Sequence, residues 1–177
     1  MHIHLHDHTF LLRHATHDDI LNLLGYLNSL SPESRKRFEP HPFETDSLYQ
    51  LIENPEYILL LAIDEHTLFI EAYTILKSGW LDFEADRFKS YGLKPQPGDY
   101  TFAPSVADYW QGKGLGRLLF EYTLLQLPEA NPQKRIFLWG GVQASNSHAI
   151  HFYTKLGFKE LGQFEYNGTN IDMMLCL

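Results

Sequence analysis

Gln111-Gly112-Lys113-Gly114-Leu115-Gly116-Arg117 is the stretch on which the reading of this chain turns. Upstream of it, residues 100–106 read as extended. Downstream, Leu115, Leu118, Leu119, Tyr122 and Leu125 recur at helical spacing, and Pro128 closes the pattern. The context is therefore strand, glycine-rich turn, helix. The first backbone N–H groups of a helix have no intrahelical acceptor, and the helix dipole favours negative charge there. Glycine lets a ligand approach the backbone and accepts φ > 0. An anion site at this turn follows, beside the plainer alternative of an ordinary glycine-rich turn.

The kind of anion is narrowed by what the turn lacks. It is not a P-loop, because Lys113 is followed by Gly114 where Ser or Thr would hold magnesium. Gly112, Gly114 and Gly116 are one residue short of the dinucleotide G-x-G-x-x-G spacing. The next strand-like run ends in Gly140-Gly141 rather than in an acid for a ribose. A pyrophosphate held by backbone amides without metal remains.

Outward from the turn, residues 10–13, 57–63, 67–76, 135–142, 159–164 and 170–177 read as strands. Asp18 or Asp19 is placed to start a helix carrying Ile20, Leu23, Leu24 and Leu27, and Ser31-Pro32-Glu33 opens a second. Asn146 opens a helix that runs to Leu156, where Gly157 ends it. Asn167-Gly168 marks a closing hairpin. Residues 79–99 interrupt this regularity with Trp80, Phe83, Phe88 and Tyr91, and read as a lid or as a surface excursion.

The 177 residues suit a single domain spanning 1–177, and 44% hydrophobic content suits a soluble globular protein. No run is long enough to cross a bilayer and no signal-like stretch opens the chain, so a cytoplasmic protein without membrane association is expected. Cys176 is the sole cysteine, which excludes an internal disulfide. A formal charge of −8 argues against nucleic-acid binding and suits a cationic partner, or simple solubility.

The order of these elements resembles the GNAT family of acyl-CoA-dependent N-acetyltransferases. Residues 111–116 resemble its Q/R-x-x-G-x-G/A pyrophosphate loop. Asn146, Ala149, Tyr153, Lys155, Gly157 and Phe158 resemble its N-x-x-A-x-x-x-Y-x-K-x-G-F signature. The resemblance implies an α/β fold, with a mixed, mostly antiparallel sheet of six to seven strands flanked by helices. It also implies that the fourth and fifth strands splay apart to admit the pantetheine arm of acetyl-CoA. Backbone contacts to that arm are then expected at Ser105, Val106 and Ala107, with a backbone N–H near Val106 facing the developing oxyanion. Gln111, Gly112, Lys113, Gly114, Leu115, Gly116 and Arg117 are expected around the phosphates, and Asn146 and Ala149 along the thiol arm. Acetyl-CoA is the implied co-substrate, with no metal.

The implied reaction is direct attack of a primary amine on the thioester. Tyr153 is the expected acid for the leaving thiolate, since a phenol stays protonated at neutral pH. Asn146, Ala149 and Tyr153 are spaced by three and four and share one helix face, although Tyr153 also reads as a packing aromatic and Asn146 as a plain cap. Where many family members carry a glutamate before the loop, this chain has Thr101, which is no base. Asp99, Glu71, His151 or water are the open alternatives, and none is assigned. The acceptor, a small molecule or a peptide, is also open. Acidic Glu39, Glu44, Asp82, Glu84 and Asp86 lie in the segments expected to flank it and read equally as solvated surface. A homodimer is compatible with the family. A non-catalytic acyl-CoA-binding module is the alternative function.

His2, His4, His6 and His8 alternate and, if extended, line one face. Metal chelation is the sharp reading and an adventitious, tag-like cluster the plain one; no metal site is assigned.

Overall fold

The computed structural model describes residues 1–129 and 133–177. Its contacts divide the chain into two compact units: residues 1–76 with 103–127, and residues 77–102 with 128–177. The strands run mostly antiparallel and helices flank them.

In the first unit, β1 (His2–Leu5) and β2 (His8–His14) form a hairpin, and β2 pairs antiparallel with β3 (Tyr57–Asp64). The order continues to β4 (Ile70–Ser78), which begins in this unit. The strand expected from residue 67 begins three residues later. Asp64 Oδ1 accepts from the N–H groups of His66 and Thr67 at 2.8 and 3.2 Å, and Leu68 sits at φ 62°, so the turn is wider than its polar residues suggest. Residues 59–63 and 70–76 are buried continuously, without alternation, as happens when both faces of a sheet are covered. The helices of this unit are α1 (Ile20–Ser29), α2 (Pro32–Arg37), α3 (Thr45–Glu53) and, following the glycine-rich turn, α5 (Leu115–Leu125); α3 and α5 pack against β3, and α1 packs against α3. Phe10, Leu12, Leu23, Leu27, Leu48, Leu60 and Leu115 are fully buried in this core.

The starts of these helices follow local chemistry. Asp19 reaches back to the Thr16 N–H at 2.8 Å and takes both arms of Arg13 at 2.6 Å, so α1 emerges from a 3-10 turn fixed by an ion pair. Ser31 Oγ accepts the Ser34 N–H at 3.2 Å with Pro32 at the first helical position, as the sequence indicates.

In the second unit lie α4 (Asp82–Ser90), the first half of β5 (Asp99–Val106), β6 (Arg135–Leu138), β7 (Val142–Gln143), α6 (Ser147–Lys155), β8 (Lys159–Glu165) and β9 (Thr169–Cys176). Strand β5 is parallel to β6 from Asp99–Arg135 to Phe102–Leu138, and β6, β7 and β8 each pair antiparallel with β9. The β5–β6 ladder stops at Phe102, although β5 runs on to Val106. These are the fourth and fifth strands of the expected order, which become β5 and β6 because the N-terminal hairpin adds a strand. Phe88 and Phe137 stack at 4.8 Å between ring centroids, with the Trp80 ring edge-on to Phe88 at 5.4 Å. Each such burial contributes about 1.5–3 kcal/mol.

Among the described residues nine strands replace the six to seven expected. One addition is β1. The other arises because the strand expected over residues 135–142 breaks in two: Gly140 and Gly141 stand at φ 67° and 68°, a conformation that leaves a β ladder. Residues 79–99 are not irregular throughout, since α4 occupies nine of them. The histidines do not line one face either. His6 at φ 53° turns the chain between β1 and β2. His2 then meets Glu65, His4 meets Thr9 and His8 meets Asp64, and no group of three or more potential ligands gathers among the described residues.

Candidate functional site

The glycine-rich turn lies wholly within the first unit. A 3-10 turn over Asp108–Trp110 leads into it, with Gly112 at φ 72° and Gly114 at φ 101° as the N-cap of α5. No side chain caps this helix. The Arg117 and Leu118 N–H groups take the Gly114 carbonyl at 3.1 and 3.2 Å, leaving the N–H groups of the preceding residues beyond the reach of the helix's own carbonyls. The Leu115 side chain is fully buried, so only its backbone can serve a ligand. It fastens the start of α5 to the core.

The turn is braced from two sides. On one, Trp110 is buried edge-on against His8 and Phe10 at 4.9 and 5.0 Å, while the Lys113 ammonium lies 5.3 Å from its ring centroid. His6 Nε2 donates to the Lys113 carbonyl at 3.2 Å, and a Cβ on Gly114 would meet Leu5 Cδ1 at 3.5 Å. The N-terminal hairpin is thus packing for the loop. On the other side, Asp108 accepts from the Ser31 N–H at 2.9 Å, from Ser31 Oγ at 2.8 Å and from Ser34 Oγ at 2.5 Å. Burial pushes the Asp108 carboxyl up, but these donors outweigh it and hold the group below its ordinary range. Gln111 Nε2 donates to the Val106 carbonyl at 3.1 Å and to Ser34 Oγ at 3.2 Å, so its side chain ties the end of β5 to α2.

Of the other residues expected in this unit, Ser105 is turned inward, its Oγ 2.9 Å from the hydroxyl of buried Tyr26. The Ala107 N–H donates to the Glu71 carbonyl at 2.8 Å. Arg117 pairs with Glu121 one turn along α5 at 2.8 Å. Glu71 accepts the Tyr109 hydroxyl, and burial raises its carboxyl above the usual range.

In the second unit, Asn146 is the N-cap of α6 and its Oδ1 accepts the Ala149 N–H at 3.2 Å, which leaves its amide Nδ2 as a donor. Ala149 and Tyr153 follow on the same helix and are both half-buried. The Tyr153 ring packs against Phe152 and Phe158 at 5.3 and 5.5 Å, and burial alone raises its phenol well above the ordinary value. A phenol so placed is fully protonated near neutral pH.

The base alternatives fare differently. Thr101 Oγ1 donates to the Gly79 carbonyl at 2.9 Å. Asp99 is held by Arg135 through two bonds of 2.7 and 2.8 Å. His151 is exposed. Glu84 on α4, which the sequence offers only as one of several acids that could attract a cation or sit as solvated surface, is neither solvated nor exposed. It is fully buried; Oε1 accepts the Gly140 N–H at 2.7 Å and Arg87 at 3.2 Å, while Oε2 has no partner among the described residues. Arg87 spends two shorter contacts, 2.6 and 3.1 Å, on buried Asp172 of β9, and its guanidinium lies 3.7 Å from the Phe164 ring centroid. Tyr91 also donates to Asp172, and its phenol is pushed up to about 12, chiefly by burial. Burial lifts Glu84 to about 7 against the pull of Gly140 and Arg87. The Glu84–Arg87 spacing is visible in the sequence; Gly140 and Asp172 are not, being far along the chain.

Comparison with known proteins agrees with this architecture. Residues 86–160 match the family described as acetyltransferase (GNAT) domain. A probable spermine N(1)-acetyltransferase of Bacillus subtilis subsp. natto (strain BEST195) is 35% identical over 66 residues, which cover 37% of this chain and 42% of that protein. The spermine/spermidine N(1)-acetyltransferase of Bacillus subtilis (strain 168) is 33% identical over 66 residues, with the same coverage. The chain thus matches less than half the length of these curated relatives. Among solved structures, the GNAT domain of S. lividans PAT superposes with a TM-score of 0.78 at 19% identity, over 100% of this chain and 96% of that one, a likeness of fold.

Proposed function

We propose that this chain, whose residues 86–160 match the acetyltransferase (GNAT) domain, is an acetyltransferase of that family and moves the acetyl group of acetyl-CoA to a primary amine by direct attack. The observation that carries the reading is the turn at residues 111–117. Two glycines at positive φ and an uncapped helix start present backbone N–H groups with Lys113 beside them, a cradle suited to a pyrophosphate. Val106 and its neighbours at the end of β5 offer backbone to the pantetheine arm, and Asn146 Nδ2 offers a donor for its amides.

In this reading, amine nitrogen forms a bond to the thioester carbon as the carbonyl π pair moves onto oxygen. A backbone N–H near Val106 receives that charge. Collapse breaks the C–S bond, and the Tyr153 phenol gives its proton to the departing thiolate. The phenolate regains one from the nitrogen, leaving the amide. Burial keeps the Tyr153 phenol protonated at neutral pH, so it has a proton to give. The acceptor class is proposed as a cationic amine. The polyamine acetyltransferases among the relatives support it, as does the net charge of −8.

The test is free-thiol release from acetyl-CoA across polyamines, amino sugars and peptides, wild type beside Tyr153→Phe. Amine-dependent release that collapses in the variant, with acetyl-CoA binding unchanged, is the expected result. Tight acetyl-CoA binding with no amine-dependent release would replace the enzyme with a non-catalytic acyl-CoA-binding module.

A further inference from the structure

The proposed transfer requires something to take a proton from the acceptor, because a protonated amine has no lone pair to attack with. Within the second unit the carboxylates differ sharply in what occupies them. Asp99 is saturated by Arg135 and by the Gln96 N–H at 3.1 Å. Asp172 is saturated by Arg87 and Tyr91. Glu84 has one oxygen pinned and one buried oxygen with no partner among the described residues. A buried carboxylate oxygen left unmatched costs stability, of order 1–3 kcal/mol or more for a charged group. Such a group is expensive to keep for structure alone.

Its location is as specific as its bonding. Gly140, which holds Oε1, lies just beyond Leu138, the last β6 residue in the ladder with β5. The segment carrying Glu84 is anchored at its start by the Thr101 hydroxyl on the Gly79 carbonyl, one residue before that ladder ends on the β5 side. Glu84 is therefore held at the end of the β5–β6 ladder, directly by the Gly140 N–H and indirectly through Gly79, where the segment that carries it begins. Trp80 Nε1, four residues earlier, is a second buried polar atom with no partner among the described residues.

The geometry points to Glu84, through its free Oε2, as the proton acceptor for the attacking amine in the transfer proposed above, a reading on which this inference rests. Glu84 takes one proton from R–NH3+, and the freed pair on nitrogen makes the N–C bond. The thiolate and the nitrogen then settle their protons through Tyr153. One proton remains on Glu84 and leaves to solvent as the site reopens, so acetyl-CoA and R–NH3+ become amide, free thiol and H+. The groups that face Glu84 are Arg87 on its own helix, Asp172 on β9 and the Gly140 N–H after β6. Arg87 and the Gly140 N–H favour the charged form; Asp172 and burial oppose it. The balance leaves Glu84 titrating at about 7, where a base can both accept and release a proton.

The experiment compares wild type and Glu84→Gln with spermine as the probe amine, following kcat for thiol release from pH 6 to 9 and acetyl-CoA affinity by calorimetry. Glu84→Gln is expected to bind acetyl-CoA as wild type does and to lose about 10²-fold or more in kcat at pH 7. The deficit should shrink by about tenfold per pH unit as the amine loses its own proton to solvent, a recovery that a purely structural role would not produce. A folded variant within about threefold of wild type, or one with a pH-independent deficit, overturns the assignment. If the variant fails to fold, the acid limb of the wild-type profile is measured at several temperatures. A carboxyl midpoint barely moves, which supports Glu84; a midpoint that falls on warming marks an amine or imidazole and overturns it. If wild type binds acetyl-CoA but transfers to no amine, the transferase reading itself falls and Glu84 falls with it. Transfer by wild type with an unaffected variant removes Glu84 alone.

Discussion

Glu84→Gln also has a consequence for stability that does not depend on catalysis. In the folded chain burial lifts the Glu84 carboxyl from 4.5 to about 7. Between those values the folded state keeps a proton that the unfolded state has released, so stability falls as pH rises through the window. Below 4.5 both states are protonated and there is no penalty; above 7 both are ionised and the penalty is complete. A displacement of that size at 1.36 kcal/mol per pH unit amounts to about 3 kcal/mol. Glutamine keeps the shape, and its carbonyl oxygen can still accept from Gly140, but it carries no charge at any pH. The variant should therefore gain about 3 kcal/mol relative to wild type between pH 4.5 and pH 8. Urea denaturation of both proteins at four pH values across that range reads this directly, since the difference removes every group the two proteins share. A stability difference that stays constant within about 0.5 kcal/mol across the range would refute the argument that Glu84 is buried with an uncompensated oxygen.

Three other outcomes follow from the same geometry. Tyr153→Phe should remove most of kcat while leaving acetyl-CoA affinity within about twofold, and wild type should show no basic limb from this phenol near pH 8–9, because burial raises it; a pH–rate profile for each protein checks both. Gly114→Ala forces a side chain onto φ 101° at the start of α5, at a cost of about 1–2 kcal/mol, and should weaken acetyl-CoA binding in calorimetry more than it lowers the melting temperature of ligand-free protein. Gly98→Ala would place a Cβ 2.0 Å from the Gln133 carbonyl oxygen, a backbone clash that should cost about 1–3 kcal/mol in chemical denaturation and leave the loop's ligand affinity intact in the folded fraction.

Where chemistry is local, the sequence was sufficient. The helix after the glycine-rich turn, the Ser31-Pro32 helix start, the Asn146 cap and the Asn167-Gly168 hairpin all depend on residues within one turn of each other, and they stand where the spacing puts them. The loop and the Asn146 to Phe158 signature are short contiguous strings, so the resemblance to the GNAT family was legible from them. Helix α3 went unread, and α4 was hidden because its apolar residues do not form a clean stripe. Its Phe88 packs on Phe137 while its Glu84 is buried, which inverts the rule that charge faces water.

What only the tertiary structure decided is the state of the charged and polar groups. Nothing in the order of residues says that Asp99 is spent on Arg135, that Asp108 holds the start of α2, or that the histidine-rich opening packs around Trp110 instead of presenting one face. Each of those outcomes depends on partners tens of residues away. A carboxylate's chemistry depends on how many donors surround it and how much water is excluded, and both are properties of packing. The sequence therefore determined that this chain is acidic and carries a glycine-rich turn at the start of a helix. The fold determined that, of its acids, Glu84 keeps a free oxygen out of water.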